Sequence, residues 1–227
     1  MVEACRKGNV KLGVGFHLRH HPANLEIREL LQNGSMGRPL MIQLQWVKSN
    51  PLRDGWWRDP NQVGAYVTMA RGVHLIDFLT FLTGNEPVEI MAMTDGQREE
   101  RPLEETALAL LRFPDDVFAC IAASRLFKGA ENSIEIFATE GHIRAIGTLG
   151  TEPTGSIEIS ASSGVQRLAY SPRDPYQAEI EAFNLSITDN TEPNASGVDG
   201  MNVVRITEAL LKSARTHSAI ALNSLRT

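Results

Sequence analysis

Apolar and polar residues alternate through Ser133–Thr139 (SIEIFAT) and Ser156–Ala161 (SIEISA), a period of two that predicts strands with one dry and one wetter face. Arg38–Ser49 (RPLMIQLQWVKS) alternates over a longer span. Glu86–Thr94, Glu105–Phe113, Val117–Phe127, His142–Ile146 and Val165–Tyr170 are further strand-length runs. Turn chemistry separates neighbours at Pro114-Asp115-Asp116, Glu140-Gly141 and Ser162-Ser163-Gly164. Short strands joined this tightly pair antiparallel, so the pattern predicts a large, mostly antiparallel sheet. Elsewhere the period lengthens to that of a helix: Pro22–Asn33, Gly64–Gly84, Pro175–Thr188 and Met201–Ser218, the last with Val204, Ile206, Leu210, Leu211 and Ala214 inward. Met1–Gly8 reads as the last turns of a helix, Val10–Phe16 as a short apolar strand and Ala219–Leu222 as a terminal one. Sheet and helices together make the chain α+β.

Gly64–Gly84 (GAYVTMARGVHLIDFLTFLTG) is the most informative stretch, read as one amphipathic helix bracketed by glycines with a histidine near its middle. Ala70, His74 and Asp77 are spaced four and three apart and so project from roughly one face. His74 has two readings: a satisfied core histidine, or a proton-transfer group on a rigid support. Just before it, the loop Asn50–Val63 carries Trp56-Trp57-Arg58. Adjacent indoles in a loop suit either a stacking or lid role or an anchor to the core.

Composition then removes several classes of function. With 42% hydrophobic and 22% charged residues over 227 positions the chain is an ordinary globular one, and its formal charge of −5, without a basic stripe, argues against nucleic acid as a partner. No window approaches the length of a membrane span, and the N-terminal residues lack the apolar centre of a signal peptide. Two cysteines, Cys5 and Cys120, are too few for a disulfide framework or a zinc site, so no metal is expected and a reducing cytoplasm is. Gly13-Val14-Gly15 lacks the third glycine and the helix of a dinucleotide fingerprint.

Gly64, Gly72, His74, Asp77 and Gly84, with Trp57, Arg58 and Pro60 ahead of them and Glu179, Phe183 and Ser213-Ala214 after, resemble the second domain of the glucose-fructose oxidoreductase / inositol dehydrogenase (Gfo/Idh/MocA) family. Ala70 departs from the pattern, standing where the family has an aspartate. The resemblance implies an open sheet with helices packed on one face. It implies residues 1–21 as the remnant of a nucleotide-binding domain and 22–227 as a substrate and oligomerisation domain. It also implies an NAD(P)-dependent oxidoreductase acting on a sugar, polyol or related hydroxyl compound. In those terms His74 is the catalytic group, Arg19, His74 and Asp77 bind substrate, and Trp57 and Arg58 lie towards the cofactor. The family's glycine-rich turn and E-K-P segment have no counterpart here. NAD or NADP is therefore not expected to bind this chain alone, which is expected to be incomplete and inactive by itself, and a homo-oligomer through the sheet face. The competing expectations are a non-catalytic sugar-binding or oligomerisation module and a structural interaction protein.

Overall fold

The computed structural model describes residues 1–51, 54–96 and 102–222. The alternating segments become strands β1 (Pro39–Val47), β2 (Glu89–Thr94), β3 (Thr106–Arg112), β4 (Phe118–Ser124), β5 (Ser133–Ala138), β6 (Gly141–Ile146), β7 (Ser156–Ala161), β8 (Gly164–Leu168) and β9 (Ile220–Ala221). They form one sheet in the order β8-β7-β6-β5-β1-β4-β3-β2-β9. Two meanders of consecutive antiparallel strands, β2 to β4 and β5 to β8, meet at β1, which is antiparallel to β5 and parallel to β4. The long crossover required by that parallel pair carries the helix with His74.

Period-two burial gives the sheet two unlike faces. Ile42, Leu44, Ile90, Ala109, Ile121, Ile136, Ile143 and Ile159 point into the core, where they meet Leu75, Phe78 and Leu79 of α4 (Val73–Thr83) and Ile206 and Leu210 of α6 (Gly197–Thr216). Among the described residues no helix covers the opposite face of β2, β3 and β4, and Met91, Met93, Leu108, Leu110 and Phe118 are exposed on it. The sheet is therefore open and helix-covered on one side, as expected.

Four segments depart from the sequence reading. Gly64–Gly84 holds one continuous helix, but it starts later than Gly64 and its first turn is π-helical rather than α. Asp59 caps a short helix α3 (Pro60–Val63) by accepting from the Asn61 N–H (2.9 Å), and Gly64 leaves it at φ 71°. The chain re-enters helix through a π-helical turn, Thr68–Gly72, before α4. Its new start is held by the buried Glu104 carboxylate, which accepts from the N–H groups of Tyr66 (2.9 Å) and Thr68 (2.8 Å). A cap delivered from the segment before β3 leaves no local trace in the sequence.

Val10–Phe16 is not a strand either. It contributes a single bridge, Gly13 to Ser196, and lies across α5 (Pro175–Thr188) and α6. Contact there is close enough that a Cβ on Gly13 would come within 2.7 Å of Phe183. α6 begins at Gly197 rather than Met201, because Ser196 and Asp199 form a capping box, and Val204 on it is exposed. On α5 the apolar residues Tyr176, Ile180 and Ile187 are also exposed. The remaining helices, α1 (Val2–Lys7) and α2 (Pro22–Gln32), lie where the spacing predicts.

Candidate functional site

Beyond Leu44, the same side of β1 continues with the half-buried Trp46 and the exposed Lys48, which line a cavity of about 630 Å³. His74, at the start of α4, faces it, with Ala70 and Arg71 from the π-helical turn alongside. His17 reaches it from a 3-10 turn, His17–His20, and Tyr176 from the first turn of α5.

A buried polar cluster fixes these segments. The Asn24 amide donates to the carbonyl of Leu18 (3.0 Å) and to that of Thr148 (3.4 Å). His21 accepts the Ala23 N–H at Nδ1 (3.2 Å), capping α2, and its Nε2 donates to the Glu152 carbonyl (3.0 Å). Asn132 accepts the Val47 N–H (3.0 Å) and donates to the Leu149 carbonyl (2.5 Å). The 3-10 turn, the end of β1 and the loop at 147–154 are thus pinned to one another before any ligand enters.

Within the cavity, the His17 ring stacks on Tyr176 (centroids 5.1 Å apart) and meets His74 edge-on at 5.0 Å, with Trp46 at 6.0 Å from His17 and 5.8 Å from His74. Burial pushes both histidines down to about 4, and for His17 the neighbouring His74 adds to the shift. Both rings are neutral at pH 7. His17 Nε2 and His74 Nδ1 are buried with no hydrogen-bond partner among the described residues. A neutral imidazole with an unoccupied nitrogen can accept from a hydroxyl or donate to an oxygen, which is the chemistry of proton transfer at carbon-bound hydroxyls.

The same shifts set an acid limit. Between about pH 6.5 and 4 the unfolded chain binds protons at His17 and His74 that the folded chain does not, so stability present above that window is lost as pH falls through it. Replacing both by asparagine is expected to cut the loss of stability between pH 7 and pH 5 by about 1–3 kcal/mol. Urea midpoints at the two pH values check this, and equal losses in variant and wild type would contradict it. Asp77 and Glu179, pushed up by burial to about 6 and about 7, act with the opposite sign in both proteins, so the comparison isolates the histidines.

Of the residues singled out in the sequence, His74 and Ala70 line the cavity. Arg19 and Asp77 do not, and lie behind it as a buried ion pair, Arg19 Nε donating to Asp77 Oδ2 (2.9 Å) and Nη2 to Oδ1 (2.6 Å). Arg19 also reaches Asp199 (3.2 Å) and the Asn194 carbonyl, so it ties the 3-10 turn to α4 and α6. Trp57 stands one ring back, edge-on to the cavity residue Tyr66 at 5.7 Å and packed on the core, while the exposed Trp56 stacks on it at 4.3 Å. Arg58 is exposed and pairs with Asp54 (2.8 Å). Of the tandem indoles, one anchors and the other lies open.

His17, Trp46, Lys48, Tyr66 and Tyr176 escaped the sequence reading. For Trp46 and Lys48 a signal existed, since they continue the parity of Ile42 and Leu44. His17 had none, because nothing local says that its turn folds back beneath α5.

The fold is a helix-backed open sheet with a histidine-lined cavity at the end of its central strand. The GFO/IDH/MocA C-terminal domain matches residues 24–144, more than half of the chain, and the chain belongs to that family. It is 28% identical over 227 residues to the 1,5-anhydro-D-fructose reductase of Ensifer adhaerens, covering 99% of this chain and 68% of the relative. An aldose-aldose oxidoreductase from Caulobacter crescentus, solved with glycerol, superposes with a TM-score of 0.89 at 20% identity, over 97% of this chain and 67% of that one. A levoglucosan dehydrogenase solved with NADH and levoglucosan gives a TM-score of 0.86 at 19% identity, over 98% and 69%. The chain thus spans about two thirds of the length of these proteins.

Proposed function

We propose that this chain is the substrate-holding part of an NAD(P)-dependent oxidoreductase acting on a sugar, polyol or related hydroxyl compound, with His74 handling the proton of the reacting hydroxyl. The observation that carries this reading is the cavity lined by the edge-on rings of His74 and His17, each with a nitrogen that has no hydrogen-bond partner among the described residues, and walled by Trp46 and Tyr176. Aromatic faces suit the C–H side of a sugar ring, and the imidazoles suit its hydroxyls. Membership of a family whose relatives include sugar and inositol dehydrogenases supports the substrate class.

The described residues do not fit a dinucleotide. The Val14 N–H is spent on the Ala195 carbonyl, Gly13 is bridged to Ser196, and the parallel pair β1 and β4 has no glycine-rich turn leading into a helix. When present, NAD(P) supplies the hydride acceptor. The chain's own part is to bind the polyol, orient it and move a proton at His74. Trp57, edge-on to the cavity residue Tyr66, and the exposed Arg58 beside it are the residues towards which a cofactor held by another domain would lie.

A second reading, a sugar-binding module without turnover, is favoured by Ala70. Where the family has an aspartate this chain offers a methyl group to the cavity, and no carboxylate among the described residues orients His74.

Both readings require the cavity to bind. With Trp56 and Trp57 changed to phenylalanine, the fluorescence of Trp46 is expected to be quenched saturably by at least one member of a panel of neutral sugars and polyols, and His74→Ala is expected to weaken that binding about ten-fold. A panel without any response sinks both readings. Oxidation of the bound polyol by NAD(P), once a relative's nucleotide-binding domain is added, separates the first from the second.

We further propose that the open face of β2, β3 and β4 pairs with a second copy of the chain. Exposed Met91, Met93, Leu108, Leu110 and Phe118 lie on neighbouring strands and make one apolar patch, larger than isolated surface residues would form.

A further inference from the structure

Three cationic side chains of the cavity lining gather around the backbone just beyond β1. Arg71 donates to the carbonyls of Ser124 and Lys48 and to Asn50 Oδ1 (2.9 Å), and Arg125 donates to the Asn50 carbonyl. Lys48 lines the same cavity, is exposed, and takes part in no ion pair among the described residues. Arg125 is offset by Glu105 at 2.5 Å, and the loop opposite contributes one carboxylate to the lining, Glu152. Among the described residues the balance of the lining is positive, in a chain whose formal charge is −5. A concave site lined by one sign of charge concentrates ligands of the other sign.

The lining combines two kinds of chemistry: aromatic faces and two neutral rings suited to hydroxyls, and an ammonium backed by two guanidinium groups. A volume of about 630 Å³ has room for a sugar-sized compound spanning both. We infer that the cavity takes a polyhydroxy compound bearing one acidic group, its hydroxyls at His17 and His74 and its anion against Lys48, with Arg71 and Arg125 behind. This rests on the reading of the cavity as a polyol site and narrows it.

Calorimetric titration of the 227-residue chain with D-glucitol, D-gluconate and D-glucitol 6-phosphate tests it. At least one of the two acids is expected to bind about ten-fold tighter than glucitol at low salt, the worth of one charge-assisted hydrogen bond. Whichever acid gains more shows whether the anion is a carboxylate or a phosphate. The advantage is expected to shrink as salt is raised, to fall to near unity in Lys48→Met and to reverse in Lys48→Glu, both variants first shown by circular dichroism to be folded. If glucitol binds in a His74-dependent way and neither acid has an advantage, or if Lys48→Glu leaves the ratio unchanged, the charge inference is overturned while the polyol site stands. If none of the three binds, both are overturned.

Discussion

Replacing Arg19 by methionine is expected to lower the free energy of unfolding by about 3–5 kcal/mol, because it leaves the Asp77 carboxylate buried without its counter-ion. Asp77 is 0% exposed and Arg19 5%, so water cannot take the missing partner's place. Burial pushes the Asp77 carboxyl up to about 6 against the pull of the guanidinium, and at neutral pH it is still ionised in the wild type. Arg19 also packs its guanidinium over Phe81 (5.4 Å) and holds Asp199 and the Asn194 carbonyl, so the loss extends to the joint between the 3-10 turn and α6. Chemical denaturation measures the loss. Adding Asp77→Leu to the variant is expected to recover part of it, since a pair removed together leaves less uncompensated charge than one removed singly. A loss under about 1 kcal/mol, the range of an exposed ion pair, would show that the cluster is hydrated.

Changing Leu110 and Met93 together to lysine is expected to weaken self-association at least about 100-fold, since each would bury an unpaired ammonium in the proposed interface. The two lie on adjacent strands: Leu110 pairs with Met91 and Cys120, and Met93 with Leu108. The changes point outward and are expected to leave the fold intact. Sedimentation equilibrium reads the outcome directly. A wild-type chain that stays monomeric at every concentration reached would refute pairing through this face.

The strands were legible because each face of the sheet has one neighbour, core or solvent, so period two survives along almost every segment. The helices were less so. Tyr176, Ile180 and Ile187 form an apolar stripe on α5, yet all three are exposed, and it is Ala178 and Ser186 that are buried. A stripe tells that a helix has an apolar side, not what covers it. Likewise Gly64 to Gly84 has helical content throughout, but its true start is set by Glu104, far along the chain. At the site, His74 could be found from spacing and resemblance, whereas His17 becomes its neighbour only when the turn after Phe16 tucks under α5. Asp77 shares a helix with His74, and its placement behind the cavity rather than in it depends on Arg19 from another segment.

The π-helical turn at Thr68–Gly72 has a consequence for how this cavity can vary. An α-helix turns by about 100° per residue, and a π turn accommodates one residue more than an α turn would. Ala70 and Arg71, four and three residues before His74, share its face, and the wider turn sets how the chain before it, with Tyr66, is rotated relative to the imidazole. Deleting Met69, which does not line the cavity, would leave a regular helix and swing Tyr66 out of phase with the imidazole. The composition of the lining can drift by substitution, but its angular arrangement hangs on chain length across these five positions.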